Sequence, residues 1–254
     1  MVILEDEKTI FVHIPKCGGT SVTASLDEVA RWNDIFVGGT DVGEYLNRTW
    51  GIRFKIRKHS TPDEIRLGLG KLRYQEYKKF ILVRNPVDRF LSAYNFMLRH
   101  IAQRSEWIMP AAAAYGLDRF TDFEDFLFSD FISDVVEDGR KWSVARFDDL
   151  EQARVAAGVV RMYLPQIYYY DPDEAKKGRF LVLKLEDASR FDFFMKSVGV
   201  DRGLELKIHN SNDMKTIGER DLSARALDRL CDLYSTDFSS FEYPRPSGIG
   251  FEVL

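Results

Sequence analysis

The chain has 254 residues, of which 45% are hydrophobic, 13% aromatic and 30% charged. This composition supports one sizeable core and argues against a disordered or membrane-embedded chain. The formal net charge of −4 argues against a general nucleic-acid-binding protein, which needs an extended basic surface, but it allows a local pocket for an anion.

The cysteine content and the N-terminal residues predict a cytoplasmic protein. The two cysteines are Cys17 and Cys231, so the chain has no disulfide framework, which suits a reducing compartment. Residues 1–8 include three acidic residues, and no apolar stretch of a secretory signal follows them. A run of about 18 apolar residues that could span a bilayer is also missing.

The first predicted element is a strand, Thr9–Ile14, whose β-branched and apolar residues are typical of a buried parallel strand. Pro15–Gly19 breaks this strand, and a helical pattern begins at Thr20 or Ser21, either of which suits the N-cap position. The beginning of the chain is therefore predicted to run from strand to tight glycine loop to helix.

The polar, glycine-rich residues 33–51 are predicted to form a loop beside a site, and a strand, Phe54–Lys58, is predicted to end at His59. A helix start is expected at Ser60–Glu64, because proline is favoured in the first turn of a helix. The further predicted elements are a strand Phe80–Val83 with a helix after Pro86, a helical and aromatic-rich insertion at about 105–165, a strand Phe180–Leu185 with a helix after it, and a C-terminal helix Ser223–Tyr234.

The alternation of strands and helices predicts an α/β protein with a P-loop-like three-layer fold, in which helices flank a central parallel sheet. We expect a single domain over residues 1–254. Ligands of such sheets bind beyond the carboxyl ends of the strands. The predicted strand ends bring Lys16, His59 and Arg84 to that edge.

The loop between the first strand and the first helix has the residue types of an anion site. Gly18 and Gly19 let the backbone approach an anion, and the helix N-terminus offers free N–H groups. Lys16 adds a positive charge, and Thr20 and Ser21 add hydroxyl donors. The lysine precedes the glycines, whereas in nucleoside triphosphatase loops it follows them. The alternative is an ordinary strand–helix turn with a surface lysine.

A second candidate anion site follows the predicted strand at 80–83. Arg84 lies at the strand end, and Ser92 lies eight positions later, two turns into the next helix, where its hydroxyl can point back to the strand end. A guanidinium and a hydroxyl together suit a terminal phosphate. A structural ion pair is the alternative for Arg84, and for Arg89 we expect an ion pair with Asp88 or another carboxylate.

Two motifs carry a resemblance to a known family. HIPKCGGTS at His13–Ser21 resembles the phosphosulfate-binding loop of sulfotransferases that use 3′-phosphoadenosine 5′-phosphosulfate (PAPS), above all the carbohydrate type that includes heparan and chondroitin sulfotransferases. VRNPVDRFLSAY at Val83–Tyr94 resembles the segment that holds the 3′-phosphate in that family. Weaker similarities follow in the family's order, so that the resemblance covers nearly the whole chain, at Leu164–Gln166, Leu183–Asp187 and Leu233–Tyr243.

The resemblance implies a role for each matching residue. Lys16 would stabilise the bridging oxygen as the phosphate leaves, and Arg84 and Ser92 would bind the 3′-phosphate. The 5′-phosphosulfate would be held by backbone and hydroxyl donors of Cys17, Gly18, Gly19, Thr20 and Ser21. The family usually has threonine in place of Cys17, so a side-chain hydroxyl contact would be missing here. In-line transfer of this kind requires no metal, and the sequence has no ligand cluster with metal-site spacing.

The general base is also suggested by resemblance. Arg57-Lys58-His59 is similar to a basic-x-His segment of cytosolic sulfotransferases, in which the histidine accepts the proton of the acceptor hydroxyl. We therefore expect His59 to be the base, with Glu or Asp from the variable loops as the alternative. For His13 we expect a buried structural role, and for His100 and His209 incidental positions.

The expected partners are PAPS, its product 3′-phosphoadenosine 5′-phosphate (PAP) and a hydroxyl-bearing acceptor. The resemblance favours a carbohydrate acceptor, with a phenol or another small alcohol as the alternative. Four tryptophans could stack on sugar rings, although core packing is expected for most of them: Trp32, Trp50, Trp107 and Trp142. Two other functions stay open, a P-loop-type nucleotide phosphotransferase and a non-catalytic module that binds PAP or PAPS.

Overall fold

A computed structural model describes residues 1–138, 158–203 and 217–246. The chain divides into two compact units, the first formed by Met1–Arg84 and Tyr168–Ser211, and the second by Asn85–Ile167 and Asn212–Leu254. The single domain expected over the whole chain stays a prediction, because two compact units can belong to one domain. Trp142 and His209 lie outside the described residues.

The first unit contains a five-stranded sheet made of β1 (Val2–Leu4), β2 (Thr9–Phe11), β3 (Ile35–Phe36), β4 (Lys78–Val83) and β5 (Phe180–Lys184). The strand order is β3-β1-β2-β4-β5. β4 pairs parallel with both β2 and β5, whereas β1 pairs antiparallel with β2 and β3. The predicted α/β class is confirmed, and the sheet is mixed because two short antiparallel strands extend its parallel part.

The helices of the described residues are α1 (Gly19–Glu28), α2 (Asp41–Arg53), α3 (Pro62–Leu69), α4 (Lys71–Glu76), α5 (Pro86–Ala102), α6 (Met109–Tyr115), α7 (Phe123–Leu127), α8 (Asp130–Glu137), α9 (Pro172–Lys176), α10 (Phe191–Ser197), α11 (Ala224–Leu233) and α12 (Ser235–Ser240). Short 3₁₀ helices lie at Gln166–Tyr169, Leu185–Arg190 and Glu219–Asp221. Across the described parts of the chain, no helix is both long and apolar enough to cross a bilayer.

Two predictions for the segment between α1 and α3 are wrong. Residues 33–51, predicted as a loop, contain β3 and most of α2, and Phe54–Lys58 is not a strand. The backbone N–H groups of Phe54 and Ile56 both donate to the carbonyl oxygen of Trp50, at 2.8 and 3.3 Å. The segment therefore folds back on the end of α2 and does not pair with the sheet.

The predicted starts of α3 and α5 are confirmed by their capping contacts. Thr61 accepts a hydrogen bond from the backbone of Glu64, whose carboxylate accepts one from the Thr61 N–H, and Pro62 occupies the first turn. The side chain of Asn85 accepts hydrogen bonds from the first turn of α5, which also begins with a proline. Both helices therefore begin immediately after the segments that carry candidate site residues.

A buried ion cluster crosses the first unit between β4 and α9. Lys79 lies on the central strand β4 and is fully buried, and its Nζ donates to Oε2 of Glu174 at 2.9 Å. Arg179 donates to both carboxylate oxygens of Glu174, each at 2.9 Å, and Lys177 donates at 3.1 Å. Burial raises the pKa of Glu174, but the hydrogen bonds from these three cations outweigh that effect and bring it to about 2.

The second unit has an aromatic core. The ring of Phe90 on α5 contacts those of Phe123, Phe126 and Tyr163, with centroid distances between 5.3 and 6.1 Å. Phe123, Phe126 and Leu127 are buried in this core, whereas Phe120 and Phe131 are half-buried. None of the three described tryptophans is buried, so the core packing expected for most tryptophans is wrong for Trp32, Trp50 and Trp107.

A second buried polar cluster joins α5 to the C-terminal helices within this unit. Arg89 donates to the backbone carbonyl oxygens of Met162 and Leu164, at 3.1 and 2.9 Å, and the ion pair expected with Asp88 or another carboxylate stays a prediction. Asp237 is fully buried and accepts from the N–H groups of Gln166 and Ile167, at 2.8 and 2.9 Å. Burial raises the pKa of Asp237, and the charge of Arg89 opposes that rise.

The cluster around Glu174 predicts a pH dependence of stability. The pKa of Glu174 in the folded state lies below the value of about 4.3 expected in the unfolded chain. Its stabilising contribution is therefore fully present above the unfolded pKa and is lost as the pH falls toward about 2. The unfolding free energy of the wild type should therefore fall between pH 5 and pH 3. In the variant Glu174→Gln we expect this fall to be smaller by about 1–2 kcal/mol.

Urea unfolding at the two pH values measures this difference. The matched control is Asp173→Asn, because Asp173 is an exposed carboxylate in the same helix α9. Equal pH dependence of the wild type and the Glu174→Gln variant would show that the cluster does not lower the pKa of Glu174.

Candidate functional site

The loop that follows β2 has a backbone conformation suited to an anion. Lys16 has φ +66° and Gly18 has φ +75°, while Cys17 between them keeps a negative φ and Gly19 begins α1. Such alternation is typical of an anion-binding nest, in which successive N–H groups point to one side. A left-handed conformation costs a lysine roughly 1–2 kcal/mol, and strain of this kind is concentrated at functional sites.

Gly18, and not Thr20 or Ser21, is the N-cap of α1, so the predicted cap is wrong. The reason is the positive φ of this position, which glycine adopts without cost. The N–H groups of Ser21 and Val22 donate to the Gly18 carbonyl oxygen, at 3.0 and 3.3 Å. Because Gly18 has no side chain to bond the first turn of α1, the start of this ten-residue helix keeps backbone donors for a ligand.

The two glycines are also required by packing in the first unit. A Cβ atom on Gly19 would lie 2.2 Å from Cδ2 and Nε2 of His13, and one on Gly18 would lie 2.7 Å from Cδ1 of Leu185. The loop therefore lies directly on the His13 ring and on the residue that follows β5. This contact gives a structural reason for the similarity to the family at Leu183–Asp187.

Cys17, which departs from the family pattern, has its side chain inside the protein. It is 1% exposed, and its Sγ lies 3.7 Å from the carbonyl oxygen of Pro15, which accepts a weak S–H hydrogen bond. Thr20 is exposed and Ser21 is buried in the first turn of α1. The thiol thus belongs to the packing of the loop, while the backbone of residue 17 belongs to the nest.

His59 lies in the turn between α2 and α3 and is half-buried. Its Nδ1 lies 2.9 Å from the carbonyl oxygen of His13. A carbonyl oxygen only accepts, so Nδ1 carries the hydrogen and donates, and Nε2 is the basic nitrogen of the neutral ring. The contact thereby sets the tautomer that a general base requires.

His13 is buried, which confirms the structural position expected for it. Its ring stacks on Phe11 and meets the His59 ring edge-on, with centroid distances of 5.4 and 4.6 Å. Its Nδ1 has no hydrogen-bond partner within the described structure. Burial, and next the charge of His59, lowers the pKa of His13 well below 6.5, so the ring stays neutral at physiological pH.

The turn that carries His59 is held against α2 by a hydrogen bond and an ion pair of Lys58. The backbone N–H of Lys58 donates to Oδ1 of Asn47 at 2.8 Å, and the Lys58 ammonium lies 3.6 Å from the carboxylate of Glu44. Neither Asn47 nor Glu44 was predicted to belong to the site, because residues 33–51 were predicted as a loop. Thr40, which caps α2, followed by acidic residues in the first turn, is the signal that identifies the helix start.

Arg84 immediately follows β4, and the parallel pairing of β2 and β4 places it at the same edge of the sheet as the Lys16 loop. Lys184, at the end of β5 opposite Val83, adds a cation at this edge that the sequence analysis did not assign to the site. Ser92 lies on α5 and is half-buried, as Arg84 is. Convergence of Arg84 and Ser92 on one phosphate stays a prediction.

The structure thus brings the Lys16 loop, His13 and His59 together in the first unit. Among the described residues, no group of three or more His, Cys, Asp or Glu side chains could hold a metal ion. His100 lies on α5, where its Nδ1 is 2.8 Å from Oγ of Ser105, and it belongs to the second unit.

Comparison with known proteins identifies the family. The model of the sulfotransferase family matches residues 1–244. The chain is similar to carbohydrate sulfotransferase 10 of Rattus norvegicus, with 20% identity over 269 aligned residues that cover 96% of this chain and 67% of that relative. No solved structure matches the chain. Because the family model spans nearly its whole length, the chain belongs to the sulfotransferase family.

Proposed function

We propose that the protein transfers a sulfuryl group from PAPS to an acceptor hydroxyl on a carbohydrate. The observation that carries this proposal is the double contact of His13 in the first unit. Its ring packs against Gly19 of the loop, and its carbonyl oxygen accepts the hydrogen bond from His59. One buried residue therefore links an anion-binding loop to a histidine whose basic nitrogen is Nε2.

The 5′-phosphosulfate of PAPS suits the nest at Lys16–Gly19. Backbone N–H groups of Cys17, Gly18 and Gly19 and the start of α1 would hold its oxygens, together with the hydroxyls of Thr20 and Ser21. Arg84 and Ser92 would bind the 3′-phosphate through a charge-assisted hydrogen bond and a hydroxyl donor. These assignments use the residues named by the family resemblance.

The proposed chemistry is an in-line displacement at sulfur. The acceptor oxygen forms a bond to sulfur while the bond between sulfur and the bridging phosphate oxygen breaks, and the proton of the acceptor hydroxyl passes to Nε2 of His59. Negative charge develops on the leaving phosphate of PAP, where Lys16 and the backbone donors stabilise it. The role of this chain is thus to position two reactants and to neutralise charge.

A carbohydrate acceptor is supported by the relative from Rattus norvegicus, whose name describes a carbohydrate sulfotransferase. The exposed indole of Trp32 is available for stacking on a sugar ring, whereas that of Trp107 already contacts the rings of Phe96 and His100. A phenol or another small alcohol is the competing acceptor, and a panel of acceptors with labelled PAPS distinguishes them. The cytoplasmic location stays a prediction from the sequence.

Replacing Lys16 tests the stabilisation of the leaving phosphate. We expect Lys16→Met, which keeps the aliphatic stem, to lower kcat by about a hundred- to a thousandfold, the usual effect of losing one donor to a developing charge. Affinity for PAP should fall much less, because the charge on the bridging oxygen develops mainly in the transition state. Turnover of labelled PAPS and calorimetry with PAP measure the two effects. A variant with normal turnover would exclude Lys16 from the mechanism.

Replacing His59 with asparagine tests the base without disturbing the turn. The asparagine amide can still donate to the His13 carbonyl oxygen, but it has no basic nitrogen. We expect His59→Asn to lower kcat by about 10²–10⁴-fold and to remove the fall in kcat/KM at acid pH, because a base must be deprotonated to act. The melting temperature should stay close to that of the wild type.

The control for this experiment is His100→Asn, because His100 also forms a hydrogen bond through Nδ1, to Ser105 in the second unit. This variant should keep its activity and its pH profile. If the acid limb persists in His59→Asn, a Glu or Asp from the variable loops becomes the base.

Recognition of the 3′-phosphate tests the donor itself. We expect PAP to bind about 30- to 1,000-fold more tightly than AMP, equivalent to about 2–4 kcal/mol for a charged contact out of water. Arg84→Ala should abolish most of this preference and leave the affinity for AMP nearly unchanged, whereas the exposed Arg119→Ala should change neither. Calorimetry with both nucleotides gives the affinities.

Two outcomes would change the proposal. Equal affinity of the wild type for PAP and AMP would contradict a PAPS-dependent reaction and favour a nucleotide phosphotransferase. Strong preference for PAP without sulfate transfer to any acceptor would favour a non-catalytic PAP-binding module.

A further inference from the structure

Helix α2 packs on the rest of the first unit through two glycines and an asparagine. Its buried residues are Gly43 and Gly51, and between them the side chain of Asn47 accepts a hydrogen bond from Lys58. These three positions are four residues apart and share one face of the helix. A Cβ atom on Gly43 would lie 3.0 Å from the carbonyl oxygen of Gly38, so the helix lies close to the backbone on this side.

The opposite face of α2 is apolar and exposed. Val42, Tyr45 and Ile52 are 70%, 72% and 49% exposed, and with Thr49 between them they follow the spacing i, i+3, i+7, i+10 of one helical face. Phe54, just beyond the helix, is 45% exposed. A surface helix normally turns its apolar residues inward, so the reversed orientation of α2 marks an interaction surface.

Unpaired cations flank this apolar face. Arg48, Arg53 and Lys55 are exposed, and within the described structure none of them has a carboxylate partner. Some exposed cations elsewhere in the first unit form ion pairs, such as Arg31 with Asp6 at 3.0 Å and Lys196 with Asp192 at 2.7 Å, whereas others, such as Lys71 and Lys78, have none within the described structure. Residues 41–58 carry five Lys or Arg and two Asp or Glu, in a chain with a net charge of −4.

The charge of the surface decides between the possible occupants. In a symmetric dimer each copy would present this face to the same face of its partner, which would bring the unpaired cations together. An anionic partner has the complementary charge. The apolar face is a convex ridge roughly 15 Å long, and a ridge of aliphatic and aromatic side chains bordered by arginine and lysine suits the interface of a bilayer.

We propose that the α2 face, defined as Val42, Tyr45, Ile52, Phe54 and the cations Arg48, Arg53 and Lys55, docks reversibly on an anionic lipid surface. The apolar side chains enter the boundary between headgroups and acyl chains, and the cations contact the lipid phosphates. The inner face of the same helix holds the turn that carries His59 through Asn47. The proposal does not depend on the sulfotransferase reaction.

Flotation of the full chain with vesicles tests this surface. We expect the protein to bind vesicles of phosphatidylcholine mixed with phosphatidylglycerol, to bind pure phosphatidylcholine weakly, and to dissociate as salt is raised. The variant R48Q/R53Q/K55Q should lose about a hundredfold in partitioning to the mixed vesicles. The variant V42S/Y45S/I52S should lose at least about tenfold, with an unchanged melting temperature because these side chains are exposed.

Two control variants separate this surface from general effects. The control for R48Q/R53Q/K55Q is R31Q/R73Q/K196Q, which changes the net charge by the same amount at cations that form ion pairs. The control for V42S/Y45S/I52S is F193S, which removes an apolar side chain that is 77% exposed on α10. Both should bind like the wild type. Equal loss in a control and in its matched variant overturns the proposal. The absence of binding to mixed vesicles also overturns the proposal. Self-association of the wild type that the variant V42S/Y45S/I52S abolishes overturns it as well, because a second copy of the chain would then occupy this surface.

Discussion

The contact between the His13 imidazole and the backbone of Gly19 is the constraint on which the candidate site depends. It fixes how closely the loop after β2 can approach the end of its own strand, and no side chain at residue 19 is compatible with it. His13 also anchors His59 through its carbonyl oxygen. Since burial keeps His13 neutral, it places no second positive charge beside His59 when that residue takes up a proton.

The second unit depends on a different kind of constraint, a set of buried hydrogen bonds to the backbone. Arg89 and Asp237 hold the segment 162–167 from two sides, and the Tyr234 hydroxyl donates to the carbonyl oxygen of Tyr163 at 2.6 Å. These contacts include residues of the weaker family similarities at Leu164–Gln166 and Leu233–Tyr243. Burial of polar groups that must be paired is thus a structural reason for those similarities.

The elements predicted correctly from the sequence are those with strong local signals. The apolar run Phe80–Val83 forms most of β4, the starts of α3 and α5 have a cap and a proline, and the glycine loop lies between a strand and a helix. β1 and β3 were missed because runs of three and two residues carry no periodicity.

Helix α2 was missed for a reason that concerns tertiary packing. Gly43 and Gly51 lower helix propensity and make the segment resemble a loop, but here they allow close approach to neighbouring backbone and to Arg57. The candidate site residues were chosen from the sequence by residue type and position, and their roles stay predictions. The tautomer of His59 and its link to His13 depend on a contact across 46 residues, which no local pattern reveals.

The parallel pairing of β4 with β5 has a consequence for how the protein is made. The partner of Lys79 in β5 is Phe180, about 100 residues later in the chain, and the second unit contributes most of the residues between them. On the ribosome, β2 and β4 emerge long before β5, so one edge of an apolar strand stays unpaired while the intervening chain is synthesised. Synthesis at about 5–20 residues per second leaves that edge exposed for several seconds, long enough for a chaperone to bind it and for a neighbouring nascent chain to add a strand.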